Sequence, residues 1–143
     1  MKAEDILKLV REIKKNWHTN DPFEIAEKLG IRVLVRPVHV SGFKAQTIQM
    51  EGYPTIISIN SMYAPYSQKV LCAHELGHAI LHKGKGTVNH FDITARNLHS
   101  NIEYEADLFA LALLADERDF NMLFIEMSST VIKSVLDYNI YPR

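Results

Sequence analysis

The sequence contains few of the features that mark secreted, membrane-embedded or nucleic-acid-binding chains. Cys72 is the only cysteine among 143 residues, so no disulfide can form within the chain, which is typical of a reducing compartment. The longest apolar-rich run, around residues 109–115, is far shorter than the roughly 20 residues that a membrane-spanning helix needs. The formal net charge of −1 provides no basic excess for nucleic acid or an anionic membrane. We therefore expect a cytoplasmic protein that binds neither membranes nor nucleic acid directly.

The composition is that of an ordinary globular domain. Hydrophobic residues make up 47% of the chain and charged residues 23%, and a chain of this length can bury a sufficient core. Internal repeats and low-complexity tracts are absent from the sequence. Glu4 and Asp5 come early, without the apolar block of an export signal. We predict a single domain over residues 1–143 that needs no processing.

Hydrophobic periodicity predicts helices, then three strands, then further helices. Asp21 and Pro22 are typical of a helix start, and Gly30 of a helix end. β-Branched runs predict the strands, and Gly52 with its neighbours forms a turn between the second and third strands. The predicted helices cover residues 3–16, 22–29, 67–83, 101–115 and 117–137; the strands cover 31–35, 42–50 and 55–60; and residues 85–100 are a loop. This order predicts an α+β domain.

The segment from His74 to His78 reads His-Glu-Leu-Gly-His. On a helix, positions i and i+4 lie roughly 40° apart and one turn along the axis, so both imidazoles can bind one ion. Glu75 lies roughly 100° around from His74, where its carboxylate can act as a base on a metal-bound water. The opposite face of this helix is apolar, and Gly77 beside the histidines leaves room for another element or a substrate. The pattern predicts a zinc site on a central helix, although such five-residue matches also occur by chance.

A third metal ligand is expected from the helix at residues 101–115. Glu103 and Asp107 share one face of that helix, whereas Glu105 points roughly 160° away from Glu103. We assign Glu103 as the ligand and Asp107 as the acceptor of a hydrogen bond from a ligand histidine. The alternative is that these acids only favour the helix N-terminus, and for Glu105 we prefer that interpretation.

Further polar residues near the motif are candidates for contacting the substrate or stabilising the oxyanion. His82 continues the histidine face by one turn, and His90, His99 and Tyr104 follow in the chain. A plain structural role is the favoured interpretation of each, and for His82 that role is at the helix end.

The motif and its surroundings resemble the ImmA/IrrE family of metallopeptidases. The resemblance rests on residues 72–82 and 102–110, with further similarity over 21–31 and at Ile59-Asn60. It implies a minimal zincin (gluzincin-like) domain with a small three-stranded sheet packed with helices. It implies one Zn²⁺ per chain on His74, His78 and Glu103, with Glu75 as the catalytic base. The chain lacks the Met-Pro ending and the extra C-terminal domain of some members, so we expect the small phage or mobile-element type.

The resemblance implies cleavage of a helix-turn-helix transcriptional repressor of a prophage or mobile element. The alternative is a non-proteolytic binding module of the same fold that sequesters a repressor or a toxin partner. Glu75 separates the two, because only a protease needs this base.

Overall fold

The structure is a computed structural model that describes residues 1–83 and 96–143, and residues 96–100 by their backbone alone. The described residues therefore leave out His90, most of the predicted loop, and Gly84 and Gly86, which the sequence predicts to end the helix over 67–83. The side chain of His99 also lies outside them.

The first two helices begin and end close to where the sequence predicts. Helix α1 covers Ala3–Trp17 and α2 covers Pro22–Lys28. The Asp21 carboxylate accepts a hydrogen bond from the Phe23 backbone N–H at 2.9 Å, which satisfies one free donor of the first turn of α2. Gly30 follows α2 with a φ of 74°, a left-handed conformation that costs a glycine little.

The described residues contain a mixed sheet of three strands. Strands β1 (Arg32–Arg36), β2 (Ala45–Ile48) and β3 (Ile56–Asn60) lie in the order β1-β3-β2. β1 pairs with β3 in parallel, and β2 pairs with β3 antiparallel, which confirms the predicted hairpin. Within the described part of the chain, β2 is therefore an edge strand.

Helix α3, which covers Pro65–Leu81, is the central element of the fold. It contacts α2, β2, β3 and the helix that follows it, α4 (Arg96–Leu114). Its predicted apolar face is buried, as Leu76 illustrates with no exposed surface. A Cβ atom on Gly77 would lie 3.2 Å from both Cα and the carbonyl oxygen of Ala106 in α4, so glycine permits this close helix approach. The predicted α+β fold, with the histidine motif on a central helix, is confirmed.

Two of the predicted element boundaries are wrong. α4 begins at Arg96, so residues 96–100 are helical and not part of a loop. The predicted helix over 117–137 is replaced by two short 3₁₀ turns and by α5 (Ser129–Tyr138). Asn121 takes a left-handed φ of 50°, and the Ser128 hydroxyl accepts a hydrogen bond from the Val131 N–H as a helix N-cap. These local interactions interrupt the helix that the sequence periodicity predicts over residues 117–137.

The C-terminal segment is tied to the start of α3. The Ser67 hydroxyl donates to the Asn139 carbonyl oxygen at 2.7 Å and accepts from the Tyr141 N–H at 2.9 Å. α5 is thereby held against α3 and α4. Among the described residues, no helix is both long enough and apolar enough to cross a membrane. That residues 1–143 form one cytoplasmic domain stays a prediction.

Candidate metal centre

Three side chains from two helices converge where α3 crosses α4. His74 Nε2 and His78 Nε2 lie 3.1 Å apart. Glu103 reaches both rings, with Oε2 at 3.2 Å from His74 Nε2 and Oε1 at 2.8 Å from His78 Nε2. The i, i+4 spacing brings the two imidazoles together, and the close approach of α4 at Gly77 brings the carboxylate to them.

This donor set fits a divalent cation. One ligand atom from each of His74, His78 and Glu103 lies within 4.8 Å of the others. A tetrahedral zinc ion with bonds of about 2.0–2.2 Å separates its donors by roughly 3.4 Å, so the observed spacing needs only small adjustments. Two imidazole nitrogens and one carboxylate are also ligands that zinc prefers, and they leave one position open.

The second ring nitrogen of His74 contacts a carboxylate on the cavity side of the site. His74 Nδ1 lies 2.8 Å from Asp107 Oδ1, the residue that the sequence suggested for this role. Burial alone would lower the pKa of His74, but its hydrogen bonds with Asp107 and Glu103 raise that pKa well above the ordinary value. Asp107 thus holds the ring with Nε2 towards the other donors.

The second ring nitrogen of His78 contacts another imidazole on the core side. His78 is fully buried, and its Nδ1 lies 2.9 Å from His82 Nδ1. His82 is buried as well, and its Nε2 lies 3.1 Å from Glu105 Oε1. Burial and the positive charge of His74 lower the pKa of His78, although Glu103 favours its charged form. A neutral ring is the form that binds a metal.

This geometry changes the interpretation of two residues, Glu105 and His82. Glu105 cannot serve the N-terminus of α4, because α4 begins at Arg96 and Glu105 lies more than two turns into the helix. Its contact with His82 was missed, and the signal for it is the i, i+4 repeat from His74 through His78 to His82. The His82 backbone closes α3 as the sequence suggested, by donating to the His78 carbonyl oxygen at 2.9 Å. Its side chain lies behind His78 and does not line the cavity.

Glu75 is held beside the donors without contacting them closely. Its side chain is buried, and Oε2 lies 3.9 Å from His74 Nε2. Thr47 of β2 donates its hydroxyl to the Glu75 carbonyl oxygen at 3.0 Å, and the same hydroxyl lies 3.4 Å from Oε1. The contact with Thr47 depends on how the sheet packs against α3, so no local sequence pattern indicates it.

His74, Glu103 and Glu75 open onto a cavity of about 520 Å³ between α3, α4, α5 and the start of β2. Its polar lining includes His74, Glu75, Glu103, Tyr104 and Asp107. Its apolar lining includes Ala45, Val70, Leu71, Leu136 and Ile140. Of the four candidates for oxyanion or substrate contacts, Tyr104 lies on this wall and His82 does not, whereas His90 and the side chain of His99 are outside the described residues.

Comparisons with known proteins identify the family of this chain. A phage protein described as "Uncharacterized immunity region protein 2", from Bacillus phage phi105, is 32% identical over 109 residues. The match covers 73% of this chain and 65% of the phage protein, so the chain spans less than two thirds of that relative. The model of the Peptidase_M78 family, described as the IrrE N-terminal-like domain, matches residues 26–131, which include His74, Glu75, His78 and Glu103. The chain therefore belongs to the Peptidase_M78 family, a family of metallopeptidases.

Proposed function

We propose that this chain is a zinc-dependent endopeptidase that cleaves a helix-turn-helix transcriptional repressor of a prophage or mobile element. The observation that carries the proposal is the convergence of His74, His78 and Glu103 next to Glu75, with His74, Glu75 and Glu103 on the wall of one cavity. The three donors would hold one zinc ion per chain.

Glu75 would act as the general base and then as the general acid. When bound, zinc supplies Lewis acidity that polarises the scissile carbonyl and lowers the pKa of the attacking water. The Glu75 carboxylate accepts the proton of that water and passes it to the leaving amine. Thr47 supports this role, because its hydroxyl fixes the Glu75 backbone and lies near one carboxylate oxygen.

Tyr104 would stabilise the oxyanion or contact the substrate, because it lines the cavity next to Glu103. The substrate backbone would extend the sheet at β2. In the described part of the chain β2 pairs only with β3, so its other edge can accept a peptide strand. Gly42, Lys44 and Ala45 at the start of this edge also line the cavity that contains Glu75. A strand bound there would pass the proposed reaction centre.

The repressor as substrate rests on the resemblance of the motif regions to ImmA/IrrE metallopeptidases and on the phage relative described as an immunity region protein. Because this chain spans 65% of that relative, the phage protein also contains sequence without a counterpart in the match. The proposal therefore concerns the part that contains the cavity and its donors.

The test uses the purified zinc-loaded protein and purified helix-turn-helix repressors encoded near its gene, with the fragments identified by mass spectrometry. We expect one specific cut by the wild type and at least about a 100-fold slower cut by Glu75→Gln, which keeps the size of the side chain but removes the base. Glu27→Gln, an exposed carboxylate on α2, is the matched control and should cleave at the wild-type rate.

Equal rates for Glu75→Gln and wild type would overturn the assignment of Glu75. If neither protein cuts the repressor but both form a stable complex with it, the chain is a sequestering module and not a protease.

A further inference from the structure

A row of three polar side chains, His78, His82 and Glu105, leads from the metal donors away from the cavity, with the two histidines buried and Glu105 partly exposed. His78 Nδ1 lies 2.9 Å from His82 Nδ1, and His82 Nε2 lies 3.1 Å from Glu105 Oε1. His78 and His82 expose at most 3% of their surface, and neither lines the cavity. Water in the cavity therefore does not form the hydrogen bond to Nδ1 of His78.

The Glu105 carboxylate at the end of the row determines which atom donates in each hydrogen bond of the row. An ionised carboxylate only accepts, so the proton in the outer contact belongs to His82 Nε2. In the His82 tautomer that donates from Nε2, Nδ1 is unprotonated and can only accept, so the proton between the two rings belongs to His78 Nδ1. His78 Nε2, at the other side of the ring, then carries no proton and faces Glu103 and His74.

We propose that His82 and Glu105 are positioning residues that fix the tautomer and ring orientation of His78, so that its Nε2 is always the metal donor. This inference rests on the proposed metal site but not on peptide cleavage. The carboxylate, backbone carbonyl or water that usually serves this purpose is replaced here by a second imidazole, and Glu105 acts on the metal only through two rings.

Two consequences follow if either positioning residue is replaced. Without His82 the buried Nδ1–H of His78 loses its acceptor, and without Glu105 the tautomer of His82 that accepts this proton is no longer fixed. An unpaired buried donor is costly to keep in place. The ring can then rotate so that a carbon atom replaces Nε2 among the donors. Removal of such supporting contacts typically weakens metal binding about 10- to 100-fold.

The experiment measures zinc affinity by competition with a chromophoric chelator for wild type, His82→Leu, His82→Gln, Glu105→Leu and Glu105→Gln. We expect both leucine variants to bind zinc about 10- to 100-fold more weakly. The glutamine variants retain hydrogen-bonding groups and should recover part of the loss. His39→Leu and Glu12→Gln remove an exposed histidine and an exposed glutamate elsewhere and should match the wild type.

A nuclear magnetic resonance spectrum of the ¹⁵N-histidine-labelled, zinc-loaded protein separates positioning from mere packing. We expect the His78 Nδ1–H proton to be shifted downfield and protected from exchange in the wild type, and that signal to be lost in His82→Leu. Wild-type zinc affinity in both leucine variants, or an unchanged His78 Nδ1–H signal in His82→Leu, would overturn the proposal. Failure of the wild type to bind zinc would instead overturn the proposed function.

Discussion

The two histidines of the motif lie one turn apart on α3, yet they are held from opposite sides. His74 lines the cavity, and its Nδ1 contacts the Asp107 carboxylate directly at 2.8 Å. His78 is fully buried, and its inner nitrogen reaches a carboxylate only through His82, with Glu105 at the end of the row. Both carboxylates come from α4, which also supplies the donor Glu103.

The difference shows how one helix crossing can orient two ligands. Glu103 and Asp107 lie on the same face of α4 and reach the cavity side of the site, whereas Glu105 reaches past the crossing to the end of α3. On the cavity side a carboxylate can contact the ring and remain partly solvated. On the core side the intervening imidazole carries the hydrogen bond from the partly exposed Glu105 to a ring without exposed surface.

Removal of His74 or His78 is expected to have the largest effect and tests the contrast between the cavity side and the core side of the site. We expect His78→Ala to lower the free energy of unfolding of the metal-free protein by about 2–4 kcal/mol, because it leaves a cavity in the core and an unpaired His82. His74→Ala should cost less, since water from the cavity can fill the space and solvate Asp107. Urea denaturation in the presence of a chelator measures both, and equal losses would contradict the contrast between a core side and a cavity side.

Replacement of Asp107, whose carboxylate contacts His74 directly, should weaken metal binding without affecting the fold. We expect Asp107→Asn to reduce zinc affinity about tenfold, because a neutral amide orients the His74 ring less firmly than a carboxylate does. Asp137→Asn is the matched control, since Asp137 lines the same cavity but pairs with Lys133 on α5 at 3.1 Å. An equal loss of zinc affinity in both variants would mean that the charge of the cavity matters and not the contact with His74.

Much of the site could be predicted from local sequence periodicity, but its supporting contacts could not. The pairs His74 and His78, and Glu103 and Asp107, follow from i, i+4 spacing within single helices. The contacts of Glu105 and Thr47 depend on how α4 and β2 pack against α3, which no local pattern specifies. Glu105 in particular was interpreted as an acid at a helix N-terminus, because the sequence did not reveal that α4 begins at Arg96.

In the fold, too, the elements set by local sequence signals could be predicted, and those set by other contacts could not. The boundaries of α2 follow from Asp21, Pro22 and Gly30, which act within one turn. After Asp116, apolar residues recur every three or four positions as they would in a helix. There the Asp116 carboxylate instead accepts from the Arg118 N–H, and Glu117 accepts from the Phe124 N–H at 2.6 Å, so the chain turns before α5.

The distance between α3 and α4 can be changed at Gly77, next to His78. A methyl group there would meet the Ala106 backbone at 3.2 Å, so we expect Gly77→Ala to force the helices apart. Overpacking costs about 1–3 kcal/mol, and the better helix propensity of alanine offsets about 1 kcal/mol, so the net loss of stability should be about 1 kcal/mol. Thermal unfolding with and without zinc measures this loss, and a more stable variant with unchanged zinc affinity would contradict the close approach.

The smallest effect is expected on the sheet side of the site. Thr47→Val removes the hydroxyl that contacts Glu75 while keeping the shape of the side chain, and should lower stability by about 1 kcal/mol. Cleavage should slow several-fold at unchanged zinc content, because only the base is less well held. Thr55→Val, at a half-buried position just before β3, is the control and should change neither quantity.

Metal content tests the shared role of the two histidines most directly. Wild type, Glu75→Gln and His78→Ala would be purified, repleted with zinc, dialysed and measured by mass spectrometry. We expect about one zinc per chain in the wild type and in Glu75→Gln, and none in His78→Ala. A wild-type protein that retains no zinc, or a His78→Ala protein that retains as much as the wild type, would contradict the assignment of His74, His78 and Glu103 as the metal site.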